Sequence, residues 1–257
     1  LQDITLRNDF DWDVKNRGGV GVALGSGTRE IAYNISLQSQ QDTQVTNGTD
    51  GYYENCDIYG AVDFICGGGN QYYKNCNLIM TNPGHITAPS TGTGHQWGYV
   101  FEGCEVKAYS GSYNFAPDSK GNTYNLGRPW QNEPRAYFLR TKMNLKPNDA
   151  GWGSMGNLNT HFYEYASVDS NGNPLDLSVR TNSPTHAGTP YTPVLTDDEA
   201  AKFTLTNVIG LKESFVPTDY TKQLSAPVAT VKDGKLSWAD MDLSLIHISE
   251  PTRPEPI

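Results

Sequence analysis

Tyr52-Tyr53-Glu54-Asn55-Cys56-Asp57-Ile58 returns as Tyr72-Tyr73-Lys74-Asn75-Cys76-Asn77-Leu78, and more loosely as Tyr99-Val100-Phe101-Glu102-Gly103-Cys104-Glu105-Val106. The cysteines of these copies lie 20 and then 28 residues apart, a period that marks stacked structural repeats. Fainter relatives are Ile4-Thr5-Leu6-Arg7-Asn8, Ile31-Ala32-Tyr33-Asn34-Ile35-Ser36-Leu37 and Tyr137-Phe138-Leu139-Arg140-Thr141. Each unit is a short run of β-branched or aromatic residues broken by Asn, Gly or Asp, with no helical periodicity between units. Strands that recur without crossover helices do not build an ordinary α/β sheet. Stacked on one another they form an all-β solenoid, in which like residues line up and every inner strand is paired. Cys56, Cys76 and Cys104 are then expected to form an interior ladder of small apolar side chains, rather than disulfides or metal ligands.

The bulk composition sets the outer limits. Of 257 residues, 37% are hydrophobic and only 18% charged, the balance of a chain that folds around a core. A net charge of -9 and a pI near 5.0 argue against nucleic acid and anionic membrane as partners. No apolar run reaches transmembrane length. Four cysteines without a CxxC pair and five histidines without HExxH offer no metal site. The chain opens at Leu1, already inside strand-like sequence and with no signal peptide, so its natural start is expected to lie upstream. Asn34-Ile35-Ser36 and Asn47-Gly48-Thr49 are glycosylation sequons that carry meaning only once a compartment is known. The run Gly19-x-Gly21-x-x-x-Gly25 does not match the dinucleotide fingerprint and reads as a turn.

The solenoid pattern fades after about residue 165. Thr196-Asp197-Asp198-Glu199-Ala200-Ala201-Lys202-Phe203 opens with a capping box and predicts a short helix. The expected division is a solenoid domain at 1–217, then a linker and the start of a second module at 218–242. Within the latter, Pro227 to Asp242 resembles the opening strands of a fibronectin-type-III module. Residues 243–257, beginning Leu243-Ser244-Leu245-Ile246-His247-Ile248, resemble the in-frame translation of a sequencing adapter and are expected to be foreign to the fold.

Three segments carry chemistry. Gly60-Ala61-Val62-Asp63-Phe64-Ile65-Cys66-Gly67 is apolar enough for a buried strand, yet it holds a carboxylate at its centre. A buried charge is costly unless it is paired, and a break in a strand pattern of this kind marks a working site. Asp42, in Gln40-Gln41-Asp42-Thr43, lies 21 residues earlier, about one repeat, so the two carboxylates are expected to face each other from adjacent coils. Carboxylates that close separate their pKa values, leaving one an anion that attacks and the other an acid that gives a proton. In Leu126-Gly127-Arg128-Pro129-Trp130, Arg128 supplies a fork that fits a carboxylate and Trp130 a flat apolar face for a sugar. Gln41 is placed to donate to a developing oxyanion. Singly, each segment has a plain structural explanation, such as turn formation or surface packing. Their weight lies in occurring together on one solenoid.

Gln41-Asp42-Thr43, Gly60 to Ile65 and Leu126 to Trp130 resemble the signature segments of the pectin methylesterases, in the family's order. Gly151-Trp152 and Phe162-Tyr163-Glu164-Tyr165 match later segments more loosely. The resemblance covers residues 1 to about 217. It implies a right-handed parallel β-helix, lacking its first coils here, that removes methyl esters from methyl-esterified homogalacturonan without metal or cofactor. By motif, Asp63 is the nucleophile, Asp42 the proton donor and later acceptor, and Arg128 the cation that holds Asp63 ionised. Gln41 is the oxyanion donor and Trp130 part of the sugar groove. It further implies a monomer, secreted or periplasmic, and the tail from about 218 to 242 resembles those of secreted bacterial pectinases. Three departures stand out: Val20 replaces a usual Gln, Cys66 replaces a usual aromatic, and an N-terminal Gly-x-Tyr-x-Glu segment is absent. The rival readings are a β-helical pectin hydrolase or lyase, which does not account for Leu126 to Trp130, and a non-catalytic pectin-binding fragment.

Overall fold

The computed structural model describes residues 1–10, 21–25, 29–48, 50–110, 124–156, 159–180, 191–210, 217–219, 229–232 and 235–238. Val20 lies outside them. Two compact units are present, Leu1–Phe215 and Val216–Ile257. In the first, the strands run β1 (Thr5–Arg7), β2 (Ala23–Gly25), β3 (Arg29–Tyr33), β4 (Ser36–Gln38), β5 (Gln44–Thr46), β6 (Asp50–Glu54), β7 (Asp57–Gly67) and β8 (Asn70–Lys74). They continue with β9 (Asn77–Pro89), β10 (Tyr99–Glu102), β11 (Glu105–Ala108), β12 (Tyr124–Gly127), β13 (Arg135–Leu139), β14 (Lys142–Met143), β15 (His161–Tyr165) and β16 (Val168–Asp169). Two short helices follow, α1 (Asp197–Ala200) and α2 (Leu205–Ile209).

The sequence repeat is the structural repeat. Tyr52, Tyr53 and Glu54 pair in parallel with Tyr72, Tyr73 and Lys74, which pair in turn with Val100, Phe101 and Glu102. Six strands stack this way in the order β15-β13-β10-β8-β6-β3, and ten others form a second parallel sheet. Among the described residues every strand pair of this unit is parallel, and the unit is a parallel β-helix. Between one sheet and the other the chain turns through a left-handed residue: Asn34, Asn55 and Asn75 have φ of 50° to 55°, and Gly103 has φ 62°. Asn and Gly tolerate that region best, which is why they punctuate the repeat.

Alternation within each strand sends one aromatic in and the next out. Tyr53, Tyr73, Phe101 and Phe138 point inward and stack at centroid separations of 4.8, 4.6 and 4.5 Å. Cys56, Cys76 and Cys104 are buried free thiols beside this ladder, as the repeat predicts. The thiols of Cys76 and Cys104 each donate to a carbonyl one coil back, Tyr53 O and Tyr73 O, at 3.5 Å. Outward-facing Tyr52, Tyr72, Val100 and Tyr137 are covered by Ala200, Phe203, Val208 and Ile209 from α1, α2 and their flanks. The first of these helices carries the expected capping box, with Thr196 and Glu199 satisfying each other's backbone donors. At the far end, buried Glu164 pairs with buried Arg180, and Arg180 also donates to Asp149 O at 3.1 Å. In the second unit, Ala229–Lys232 and Lys235–Trp238 form an antiparallel pair.

Candidate active site

The ten-stranded sheet bends at a corner that two successive coils share. On the earlier coil the corner is Gln40-Gln41-Asp42. There Asp42 N–H donates to Val62 O at 3.2 Å and Val62 N–H to Gln40 O at 3.1 Å, while Thr43 Oγ1 donates to Tyr59 O at 2.7 Å. Gln41 bridges Val62, so Asp42 and Asp63 occupy equivalent places one coil apart. Both sit in the left-handed region, with φ of 53° and 52°, a conformation that costs of order 1–3 kcal/mol for a non-glycine residue and clusters at functional sites. The β7–β9 register slips on either side of Val62, a bulge that turns Asp63 out of the ladder. Gly60 makes that bulge possible, because a Cβ there would stand 2.1 Å from the Cβ of Phe64.

Arg128 arrives from the end of β12, two strands from Asp63, with its N–H on Thr87 O at 3.0 Å. Its side chain must cross β9, whose outward residue at that level is Ala88, the register partner of Cys66. The crossing ends in a two-pronged ion pair: Nε to Asp63 Oδ1 at 2.9 Å and Nη2 to Asp63 Oδ2 at 2.6 Å. Lysine would supply a point charge and lose the second prong. Behind Arg128, half-buried His85 receives a hydrogen bond at 3.2 Å from Asn125, itself held by Asn148 at 2.9 Å. Burial first, and then the nearby Arg128 charge, push His85 down to about 3, so it stands neutral and does not compete for Asp63.

Asp42 behaves differently. Burial first and then the neighbouring Asp63 charge raise it from 3.8 to about 6, against the opposing pull of Arg128 and a hydrogen bond from Cys66. The corner therefore holds one carboxylate in an ion pair and one carboxyl that keeps its proton in mildly acidic water, the division of labour that acid-assisted nucleophilic attack requires.

Gln41, Asp42, Asp63, Cys66, Ala88, Arg128, Trp130 and Met155 line one open cleft of about 270 Å³. All five residues singled out by sequence are thus brought together. Trp130 is 41% exposed, anchored by its backbone N–H to Pro89 O at 3.1 Å and free to present a ring face. Ala88 and Met155 were not foreseen. Ala88 could have been found from the repeat, by aligning β9 with Cys66 on β7; Met155 sits in a loop and carries no pattern. Cys66, expected only as a lost ring, lines the cleft alongside Asp42.

The profile of the pectinesterase family matches residues 1–212. Pectinesterase A of Emericella nidulans is 33% identical over 183 residues, covering 70% of this chain and 54% of that protein. Pectinesterase 2 of Citrus sinensis is 31% identical over 176 residues, covering 65% of this chain and 33% of that one. Pectin methylesterase PemA from Erwinia chrysanthemi superposes with a TM-score of 0.62 at 24% identity, over 84% of this chain and 70% of that one. A mutant pectin methylesterase solved in complex with a hexasaccharide gives 0.60 at 26% identity, over the same shares. The chain thus spans between a third and about half of the two sequence relatives. With the family profile extending across the whole solenoid, the chain belongs to the pectinesterase family.

Proposed function

We propose that the protein hydrolyses the methyl esters of pectin and releases methanol. The observation that carries this reading is the unequal carboxyl pair, Asp63 clamped by Arg128 and Asp42 raised to about 6, at the floor of an open cleft edged by Trp130. An Asp63 oxygen attacks the C6 ester carbon, and the carbonyl π pair moves to oxygen, where the Gln41 amide donates to the oxyanion. Collapse re-forms the carbonyl and breaks the bond to the methoxy oxygen, which takes the Asp42 proton and leaves as methanol. Asp63 is now joined to C6 as a mixed anhydride. Asp42, now a carboxylate, removes a proton from water as that water attacks C6. The anhydride bond breaks, Asp63 leaves as carboxylate and the galacturonic acid is freed.

Support for the polymer as partner comes from the relatives' names and from the oligosaccharide complex of a structural neighbour. A polymer of plant walls is met outside the cell, and we read the protein as a monomeric enzyme, secreted or periplasmic, of bacterial type. Residues 218–242 we read as a linker and the start of a second, fibronectin-like module, a reading supported by the antiparallel strand pair Ala229–Lys232 and Lys235–Trp238.

Incubation with highly methylated pectin separates the readings. The esterase releases methanol without new reducing ends or unsaturated sugars. Reducing ends would mean a hydrolase, unsaturated ends a lyase, and no methanol and no new ends of either kind a non-catalytic binding fragment.

A further inference from the structure

We propose that Asn125 and His85 are positioning residues for Met155: a hydrogen-bonded chain from Asn148 through Asn125 to His85 seats residues 148–156 on the solenoid wall and so fixes the Met155 side of the cleft. Its meaning for pectin rests on the esterase reading; the seating rests on contacts within the chain. The segment is laid against β12 almost strand on strand. Asn148 N–H donates to Tyr124 O at 2.9 Å, Leu126 N–H to Gly151 O at 2.8 Å and Gly153 N–H to Gly127 O at 2.9 Å. Gly127 also bridges Trp152 in parallel. Arg180, paired with buried Glu164, holds the start of the segment, with Nη1 on Asn148 O at 3.4 Å and Asp149 O at 3.1 Å. Two residues beyond Gly153, Met155 lines the cleft with Trp130 and Ala88.

Side chains then lock what the backbone pairs. His85 on β9 lies in register between Val62, the neighbour of Asp63, and Asn125 on β12. Asn148 Nδ2 donates to Asn125 Oδ1 at 2.9 Å, which fixes the orientation of the Asn125 amide. The group that meets His85 Nε2 at 3.2 Å is therefore the Asn125 N–H2. Nε2 must accept, so the single proton of the neutral ring sits on Nδ1. Burial first, and then the Arg128 charge, keep the ring neutral. The loop backbone rests against the same two atoms. A Cβ on Gly153 would stand 2.5 Å from His85 Nε2 and 3.2 Å from Asn125 Nδ2, so this close seating requires glycine.

The test uses the full chain. Long-range proton–nitrogen NMR on protein labelled in histidine reads the His85 tautomer, its signals assigned by their loss in His85→Gln. The expected ring carries its proton on Nδ1 and none on Nε2; a proton on Nε2 would overturn the inference. Asn125→Ala cuts the chain, and Gly153→Ala drives a methyl into it. Each should shift the Met155 methyl signal and raise KM for highly methylated pectin about three- to tenfold, the range of one net hydrogen bond. Their kcat should stay within about twofold of wild type, the pattern of lost ground-state binding. Because the effect runs through Met155, Asn125→Ala placed on Met155→Ala should add no further rise in KM. Full additivity, or a Met155 signal and a KM unmoved by Asn125→Ala, would overturn the inference. If wild type releases no methanol while the tautomer and the Met155 signal respond as stated, the esterase reading fails and the seating stands.

Discussion

A single carboxyl, Asp42, ties chemistry to stability. Its ordinary value of 3.8 is raised to about 6, so below about 3.8 folded and unfolded chains both hold the proton and nothing is lost. Between the two values the unfolded chain releases it while the folded chain keeps it, and stability falls as pH rises; above about 6 the whole cost is present. Asp42→Asn should therefore raise the Tm relative to wild type at pH 8 and leave it unchanged at pH 3, as read by paired thermal melts. In the wild type, kcat/KM should fall as pH rises through about 6, where the acid loses its proton. Gln41→Ala should lower kcat by about 100- to 1,000-fold with a small change in KM, the pattern of a lost oxyanion donor, measured by methanol release. Much of this was legible beforehand. Asp63 interrupts an apolar run, and Asp42 stands one repeat before it. What stayed hidden was the meeting of side chains that share no pattern: Met155 reaches the cleft from a loop, and Cys66 reads as a missing ring until the fold sets it in the cleft with Asp42.

At the scale of the element, the repeat told more than propensity could. Tyr52-Tyr53, Tyr72-Tyr73 and Val100-Phe101 are in register in the structure, because a solenoid stacks like on like and its period is written in the spacing of its cysteines. The left-handed turns were less visible. Asn and Gly announce most of them, but Arg140 and Ala166 hold the same conformation with φ of 51° and 50°, and neither residue type signals it. Two substitutions test the packing. Phe101, fully buried between Tyr73 and Phe138, should cost about 3–5 kcal/mol as Phe101→Ala, seen as a lower denaturant midpoint. Gly60→Ala forces its new methyl against Phe64 and should cost about 1–3 kcal/mol as an overpacked site. Because the same bulge aims Asp63, that variant should also lose activity out of proportion to its loss of stability, whereas Phe101→Ala should keep the specific activity of its folded fraction.

Over the whole molecule, two extended parallel sheets place groups from three separate stretches of sequence, at 41–42, 63–66 and 128–130, on one wall. A solenoid does this without long connections, since residues a coil apart in sequence are neighbours in space. The net charge of -9 acts at this scale too. De-esterified pectin is a polyanion and should be held less well than the nearly neutral esterified polymer, with a KM difference that narrows as salt screens it. Equal KM at low salt would contradict that expectation. The account depends most on Asp63 as the attacking group. The most direct measurement is methanol release from highly methylated pectin by wild type and by Asp63→Ala, with both proteins shown to be folded by matching circular dichroism. The account predicts methanol from wild type alone, without new chain ends; release at the wild-type rate by Asp63→Ala would contradict it.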